Sequence, residues 1–93
     1  MRFPRSGAAV LVIWEDVASF DKWAEYPDAL DHVREVAHCR TLGWFKEVDN
    51  DCLVVISTGS FSNDGELEQV ATIYRIPVGC VKGIYRLKTG AKL

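Results

Sequence analysis

Two turn signals divide the second half of the chain into three segments of strand-like composition. Asp49-Asn50-Asp51 separates residues 39–48 from residues 52–61, and Asn63-Asp64-Gly65 separates that segment from residues 67–76. Asn, Asp and Gly accept turn conformations that other residues avoid, and the segments between the turns are rich in β-branched and aromatic residues. The spacing predicts an antiparallel meander of three strands.

Two further strands are predicted on either side of the meander. Residues 8–14 read AAVLVIW, which is apolar on both alternating faces, as in a strand that is covered on both sides. Pro77 and Gly79 predict a one-turn corner after the meander, because proline fits the first turn of a short helix. Residues 83–88 then alternate as a short last strand.

The segment between the first two strands has a helical period. Ser19 is a suitable cap and a short helix is predicted from Phe20, but Pro27 disfavours helical geometry at the residue before it. Beyond Pro27 the apolar residues recur at helical spacing, which predicts a second helix or a kinked continuation. These residues are Leu30, Val33 and Ala37, and Tyr26 just before the proline continues the same spacing.

The order of elements predicts an α+β fold in a single domain, residues 1–93. Five short strands in this order suit a small antiparallel barrel or a strongly curled sheet of the Sm-like or SH3-like kind, with the helical segment inserted between strands one and two. An open sheet with the helical segment on one face is the alternative.

The composition is that of a soluble globular protein, with 48% hydrophobic residues, 26% charged residues and a net charge of −2. The longest apolar run, residues 7–14, is shorter than the roughly 20 residues that span a bilayer. It ends in Trp14-Glu15-Asp16 with no small-residue cleavage site. We therefore expect a cytoplasmic protein with no membrane partner.

No residue pattern indicates catalysis, a metal or a cofactor. His38 and Cys39 are neighbours on a predicted strand, so their side chains point to opposite faces. His32, His38, Cys39 and Cys52 lack the short paired spacing of structural zinc sites. The three cysteines, the third being Cys80, are predicted to be free and packed as small apolar residues. The sequence predicts a protein that is not an enzyme.

The tryptophans are the best candidates for a binding surface. A core this small hides about two such rings without leaving part of one exposed. Trp14 leads directly to Asp16, so an aromatic ring and a carboxylate are expected to line the junction between strand one and the helical segment. The candidate binding residues are Trp14, Asp16, Trp23 and Trp44.

Charge is unevenly distributed along the chain. Six acids and one lysine lie between residues 15 and 31, whereas five bases and no acid lie from Arg75 onward. The basic end gives an alternative, an Sm-like nucleic-acid-binding protein that uses Arg75, Lys82, Arg86 and Lys88. The opposite charges of the two ends also favour a homo-oligomer in which the acidic segment faces the basic strand of the next subunit.

Several aromatic and turn residues recur as a spaced pattern, which is Trp14-x-Asp16-x-x-Ser19 followed by Trp23, then Gly43-Trp44, VVIS at residues 54–57, and Ile76-Pro77-x-Gly79-Cys80. This pattern resembles that of small uncharacterised proteins of tailed bacteriophages and prophages. The resemblance covers about residues 10–87 and implies a phage setting with an accessory or early role. It implies no activity.

Together these observations predict a non-enzymatic phage or prophage accessory protein that acts by binding. Its expected partner is a host protein or a small host signalling molecule in the host cytoplasm. Stoichiometric capture needs a complementary surface and no catalytic group. Besides nucleic-acid binding, a minor structural component of the virion is a further alternative.

Overall fold

The computed structural model describes residues 1–16 and 22–93, which form one antiparallel sheet and one helix. The elements in chain order are β1 (Ala9–Asp16), α1 (Tyr26–Arg34), β2 (Ala37–Asp49), β3 (Cys52–Phe61), β4 (Leu67–Pro77), the 3₁₀ turn Val78–Cys80 and β5 (Val81–Arg86). The α+β class, the five strands and the one-turn corner are confirmed. The strand order across the sheet is β4-β3-β2-β1-β5.

The turns form where the sequence predicts them, because the residues there accept unusual backbone angles. Asn50 and Asp51 both have positive φ, 47° and 61°, as a tight two-residue hairpin requires. Gly65 has φ 83° in the second turn, where the Ser62 backbone N–H donates to the Glu66 carbonyl oxygen at 2.8 Å. These two turns set the register of β2, β3 and β4.

β2 changes partners along its length, and this shapes the sheet. Its first part pairs with β1, from Ala37 opposite Asp16 to Trp44 opposite Ala9. Its second part pairs with β3, from Trp44 opposite Ile56 to Asp49 opposite Cys52. Trp44 is therefore the point at which β2 passes from one neighbour to the other.

The connection between β4 and β5 shows that the sheet is strongly bent. Pro77 pairs next to the β2–β3 turn, whereas Val81 lies opposite Trp14, near the other end of β2. In a flat sheet these two sites would be roughly 30 Å apart, since a strand rises about 3.3 Å per residue. The three residues of the 3₁₀ turn span at most about 14 Å. The strands must curl to bring the sites together.

The sheet nevertheless stays open, so the prediction of a closed barrel is wrong. Closure would need β4 and β5 to pair with each other, but the two strands form opposite edges of the sheet and are not hydrogen-bonded to each other. The Val78 backbone N–H donates to the Asp51 carbonyl oxygen at 2.9 Å, which fixes the 3₁₀ turn against the β2–β3 turn. From there β5 follows β1, and β4 follows β3 away from it.

The core lies on the concave face of the sheet. Val10, Val12, Leu53, Val55 and Ile76 have at most 1% of their surface exposed. Alternation along the strands places these side chains on one face and Leu11, Ile13 and Leu42 on the other. On the second face of the described sheet, Val54 and Ile56 of β3 are also buried, whereas Leu42 is 60% exposed.

Helix α1 is the helix predicted after Pro27, and it contributes nothing to this core. Pro27 occupies its first turn, as expected, but Ser19 and Phe20 lie outside the described residues, and Trp23 and Ala24 are not helical. Ala37, predicted on the helical face, belongs to β2. No residue of α1 is buried, so α1 does not fill the end of the sheet.

Candidate functional site

A cleft of about 410 Å³ lies beside the point where β2 changes partners. We call it the aromatic cleft. The residues that give it its chemistry are Trp44, Ile56, Phe61 and Leu67, with Lys46 and Glu66 as charged members. Ligand sites of small molecules have volumes of about 300–1,000 Å³ and are mostly apolar with a few polar groups.

One wall of the aromatic cleft is the segment that precedes β1. The Gly7 backbone N–H donates to the Phe45 carbonyl oxygen at 2.7 Å, and the Phe45 N–H donates to the Ala8 carbonyl oxygen at 2.9 Å. Phe3 stacks on Phe45 with ring centroids 6.4 Å apart. These contacts hold the segment against β2, so that Ser6 and Gly7 border the cleft.

The opposite wall is the end of the β3–β4 hairpin. Register shifts between Ile56 and Thr58 and between Ser60 and Phe61 turn this hairpin away from β2. The turn itself is closed by Ser62, whose Oγ accepts the Glu66 backbone N–H at 3.1 Å. The result is a gap between the hairpin and β2 that is lined by side chains of both.

Trp44 and Phe61 meet across this gap. Their ring centroids are 6.0 Å apart and their planes are 85° apart, which is the edge-to-face geometry that aromatic pairs favour. Both rings remain exposed, Trp44 at 39% and Phe61 at 51%. A planar or apolar ligand therefore has two aromatic surfaces to contact, and Lys46 and Glu66 offer one charge of each sign beside them.

The four predicted binding residues do not form one site. Trp14 is half-buried against the core, and its Nε1–H donates to Thr41 Oγ1 at 3.0 Å. Asp16 lies two residues further along β1 on the same face and is exposed. Trp23 is fully exposed, just before α1. Of the four, Trp44 is the residue that lines the aromatic cleft.

Phe61 was missed as a site residue because the sequence does not show its contact with Trp44. It directly precedes the Ser62–Glu66 turn, where an aromatic residue at the end of a strand is a weak signal of a surface ring. The contact also depends on register shifts in β3, and irregular pairing of this kind leaves no distinct pattern in the residues.

The four predicted nucleic-acid residues are spread over both outer strands. Arg75 on β4 has its Nε 3.6 Å from Asp49 Oδ2, and Lys82 on β5 has its Nζ 3.6 Å from Glu15 Oε2. These acids offset part of the positive charge that the sequence places there. Arg86 and Lys88 are exposed, and Arg86 follows Tyr85, which is 56% exposed.

The described part of the chain offers no metal site and no candidate membrane span. Within residues 1–16 and 22–93, no group of three or more His, Cys, Asp or Glu side chains is placed to hold a metal ion. None of the helical residues described forms a segment long and apolar enough to cross a membrane. Cys39, Cys52 and Cys80 are free and each is half-buried.

Comparison of the chain with protein-family models, with curated proteins and with solved structures finds no match.

Proposed function

We propose that this protein is a non-enzymatic accessory protein of a phage or prophage, which acts by capturing a host molecule in the aromatic cleft. The observation that supports this best is the exposed pair Trp44 and Phe61 at the mouth of a cleft of about 410 Å³. The host molecule is a small molecule with a planar part, or an apolar side chain of a host protein. The resemblance to small phage proteins supplies the proposed setting, the host cytoplasm.

The energetic argument rests on the exposed surface of the two rings. An exposed aromatic ring that becomes covered contributes about 25 cal/mol per Å² of apolar surface removed from water. Aromatic stacking or edge contact adds about 0.5–1.5 kcal/mol. A cleft with two rings therefore supports useful affinity without any catalytic group, and one ligand held in this cleft gives stoichiometric capture.

We expect Phe61→Ala to weaken capture roughly tenfold or more, because it removes one of the two rings. A double variant, Trp14→Phe with Trp23→Phe, leaves Trp44 as the sole tryptophan of the three in the chain. Titration with fractions of a deproteinised bacterial extract, and separately with host proteins, then reports binding as a saturable change in Trp44 emission. Mass spectrometry of the bound fraction identifies the ligand.

Trp23→Ala is the matched control for Trp44→Ala, and capture by these two variants is measured by mass spectrometry of the bound fraction, because Trp44→Ala removes the fluorescent reporter. It removes the same side chain from a fully exposed position outside the cleft. Capture that survives Trp23→Ala and fails with Trp44→Ala supports the proposal. Capture that fails only with Trp23→Ala, or no saturable change with any fraction, contradicts it.

Nucleic-acid binding is a second candidate, and the exposed edge of β5 favours it. Tyr85, Arg86 and Lys88 place an aromatic ring beside two bases with exposed side chains. Basic grooves that carry aromatic rings bind single-stranded nucleic acids by charge and stacking. This candidate assumes an Sm-like barrel. The strand order β4-β3-β2-β1-β5 is compatible with an opened form of such a barrel.

Under this candidate, we expect Arg86→Glu to weaken binding to single-stranded RNA or DNA. It should also lower the slope of log affinity against log salt by about 1, since one phosphate contact is lost. Arg34→Glu makes the same charge change on α1 and serves as the control. Equal effects of the two variants would show that only net charge matters and would remove this candidate.

A further inference from the structure

The face of the sheet opposite the core carries an exposed apolar surface, which we call the outer patch. It consists of Leu11 and Ile13 on β1, Leu42 on β2, and Tyr85 and Leu87 at β5. Leu42 and Tyr85 both lie opposite Leu11, so these three side chains form one row across three strands. Leu42 is 60% exposed and Tyr85 is 56% exposed. A contiguous apolar surface of this kind marks an interaction site.

Helix α1 provides the second surface. Tyr26, Ala29, Leu30 and Val33 follow the i, i+3, i+4, i+7 spacing of one apolar helix face. Tyr26 is 74% exposed and the other three are half-buried, and within residues 1–16 and 22–93 none of them belongs to the core or packs against it. A nine-residue helix is too short to be stable in water by itself, so most of its stability must come from packing of this face.

The charges around these two surfaces are complementary. Helix α1 and its two ends are mainly acidic. The acids are Glu25, Asp28, Asp31 and Glu35, and the helix has one arginine, Arg34, and one histidine, His32. At the outer patch, the exposed Arg40 lies opposite Ile13 and the exposed Lys88 follows Leu87. Glu15, on the same face two residues beyond Ile13, lies 3.6 Å from Lys82 Nζ, which offsets its charge. An acidic helix with an apolar face thus matches an apolar sheet face with basic flanks.

We propose that α1 of one copy docks on the outer patch of a second copy of this chain. Both halves of the contact belong to one chain, and the described strands of the patch do not pack closely against α1 of the same chain. The contact is head-to-tail, because two different surfaces meet.

Trp44 of the aromatic cleft lies two residues from Leu42 on the same face of β2, so the helix variant is used to separate this assembly from ligand capture. Leu30→Glu changes α1 and leaves the residues of the patch and of the cleft unchanged. Assembly is measured by mass and ligand capture by Trp44 emission, so loss of assembly with retained capture in this variant shows that the two proposals stand or fall separately.

Light scattering after gel filtration, repeated over a dilution series, tests the contact directly. We expect the wild-type protein to have a mass of at least twice the chain mass of 10.4 kDa. Leu42→Glu on the patch and Leu30→Glu on the helix should each weaken self-association at least about tenfold, because each places a carboxylate in an apolar contact. Leu42→Ser is a milder second variant that should act in the same direction. Far-UV circular dichroism verifies that each variant keeps the fold.

Mixing the two variants separates the proposed contact from its competitors. Leu42→Glu retains an intact helix and Leu30→Glu retains an intact patch, so an equal mixture should regain one contact and form a heterodimer of twice the chain mass. Patch-on-patch or helix-on-helix pairing would not be restored by mixing. Val70→Glu, at an exposed position on β4, is the control and should leave self-association unchanged.

A monomeric wild-type protein overturns the proposal, and it would then follow that another molecule or the chain's own helix covers the patch. An oligomer that neither Leu42→Glu nor Leu30→Glu weakens also overturns it, since the contact would then lie elsewhere, such as on the open edges of β4 and β5.

Discussion

Gly43→Ala is expected to destabilise the protein by about 3 kcal/mol, although it adds a single methyl group. A Cβ atom at Gly43 would lie 2.6 Å from the Ile56 carbonyl oxygen and 2.8 Å from Val55 Cγ1. Neither neighbour is a flexible side-chain end, because one is backbone and the other is a branched residue of the core. The methyl group must push β2 and β3 apart at the point where β2 changes partners.

The same residue allows the backbone of β2 to lie close to that of β3. Gly43 lies between Leu42, on the outer face, and Trp44, which pairs with both β1 and β3. A close approach of two backbones at a bend is a position where glycine is needed in a strand. Separation of β2 from β3 would also displace Trp44 from Phe61, so the aromatic cleft should lose its shape together with the fold.

Thermal unfolding followed by circular dichroism measures the effect. For a domain of this size, 1 kcal/mol corresponds to about 4–8 °C, so the midpoint should fall by about 12–24 °C. Gly79→Ala is the matched control, because its added Cβ meets no atom within 4 Å. It should change the stability by less than about 1 kcal/mol. Equal midpoints for the two variants would contradict the close packing of β2 on β3.

The strands were predictable because their signals are local. Val54 and Ile56 mark β3 by composition, and Asn50 with Asp51 marks the turn before it by conformational preference. Each signal needs only a few neighbouring residues, and the structure places all five strands close to the predicted ranges. The helix after Pro27 follows from the same kind of local rule.

Barrel closure was not predictable in this way. It depends on whether β4 and β5 run side by side after the 3₁₀ turn, and that direction is set by contacts between distant residues. The bond from the Val78 N–H to the Asp51 carbonyl oxygen and the pairing of Val81 with Trp14 set that direction here. No short segment of the sequence encodes either contact.

The tryptophans show the same limit at the level of single side chains. Trp14 and Trp44 both lie on strands among apolar residues, but Trp14 finds Thr41 as a partner for its N–H and packs on the core. Trp44 points to the opposite face and stays exposed beside Phe61. Which ring is exposed depends on strand register, and a shift by one residue would exchange the two faces.

Ile76→Ala is expected to cost about 2–5 kcal/mol, because it removes a fully buried side chain and leaves a cavity. Ile76 is 1% exposed and lies opposite Leu53, which is 0% exposed. The buried apolar core of the described residues has nine members, so few neighbours can move to fill the space. For a domain whose stability is of the order of 5–14 kcal/mol, the loss is a large fraction of the total.

Ile73→Ala is a close control, since it is the same change on the same strand at a side chain that is 54% exposed. It should cost less than about 1 kcal/mol, because little apolar surface is lost and no closed cavity forms. Urea unfolding should show a lower midpoint for Ile76→Ala with an unchanged slope.

All chains must be compared at one protein concentration, because self-association through α1 would add a concentration-dependent stabilisation. If the two isoleucines proved equally costly to remove, both faces of β4 would have to be covered, contrary to the 54% exposure of Ile73.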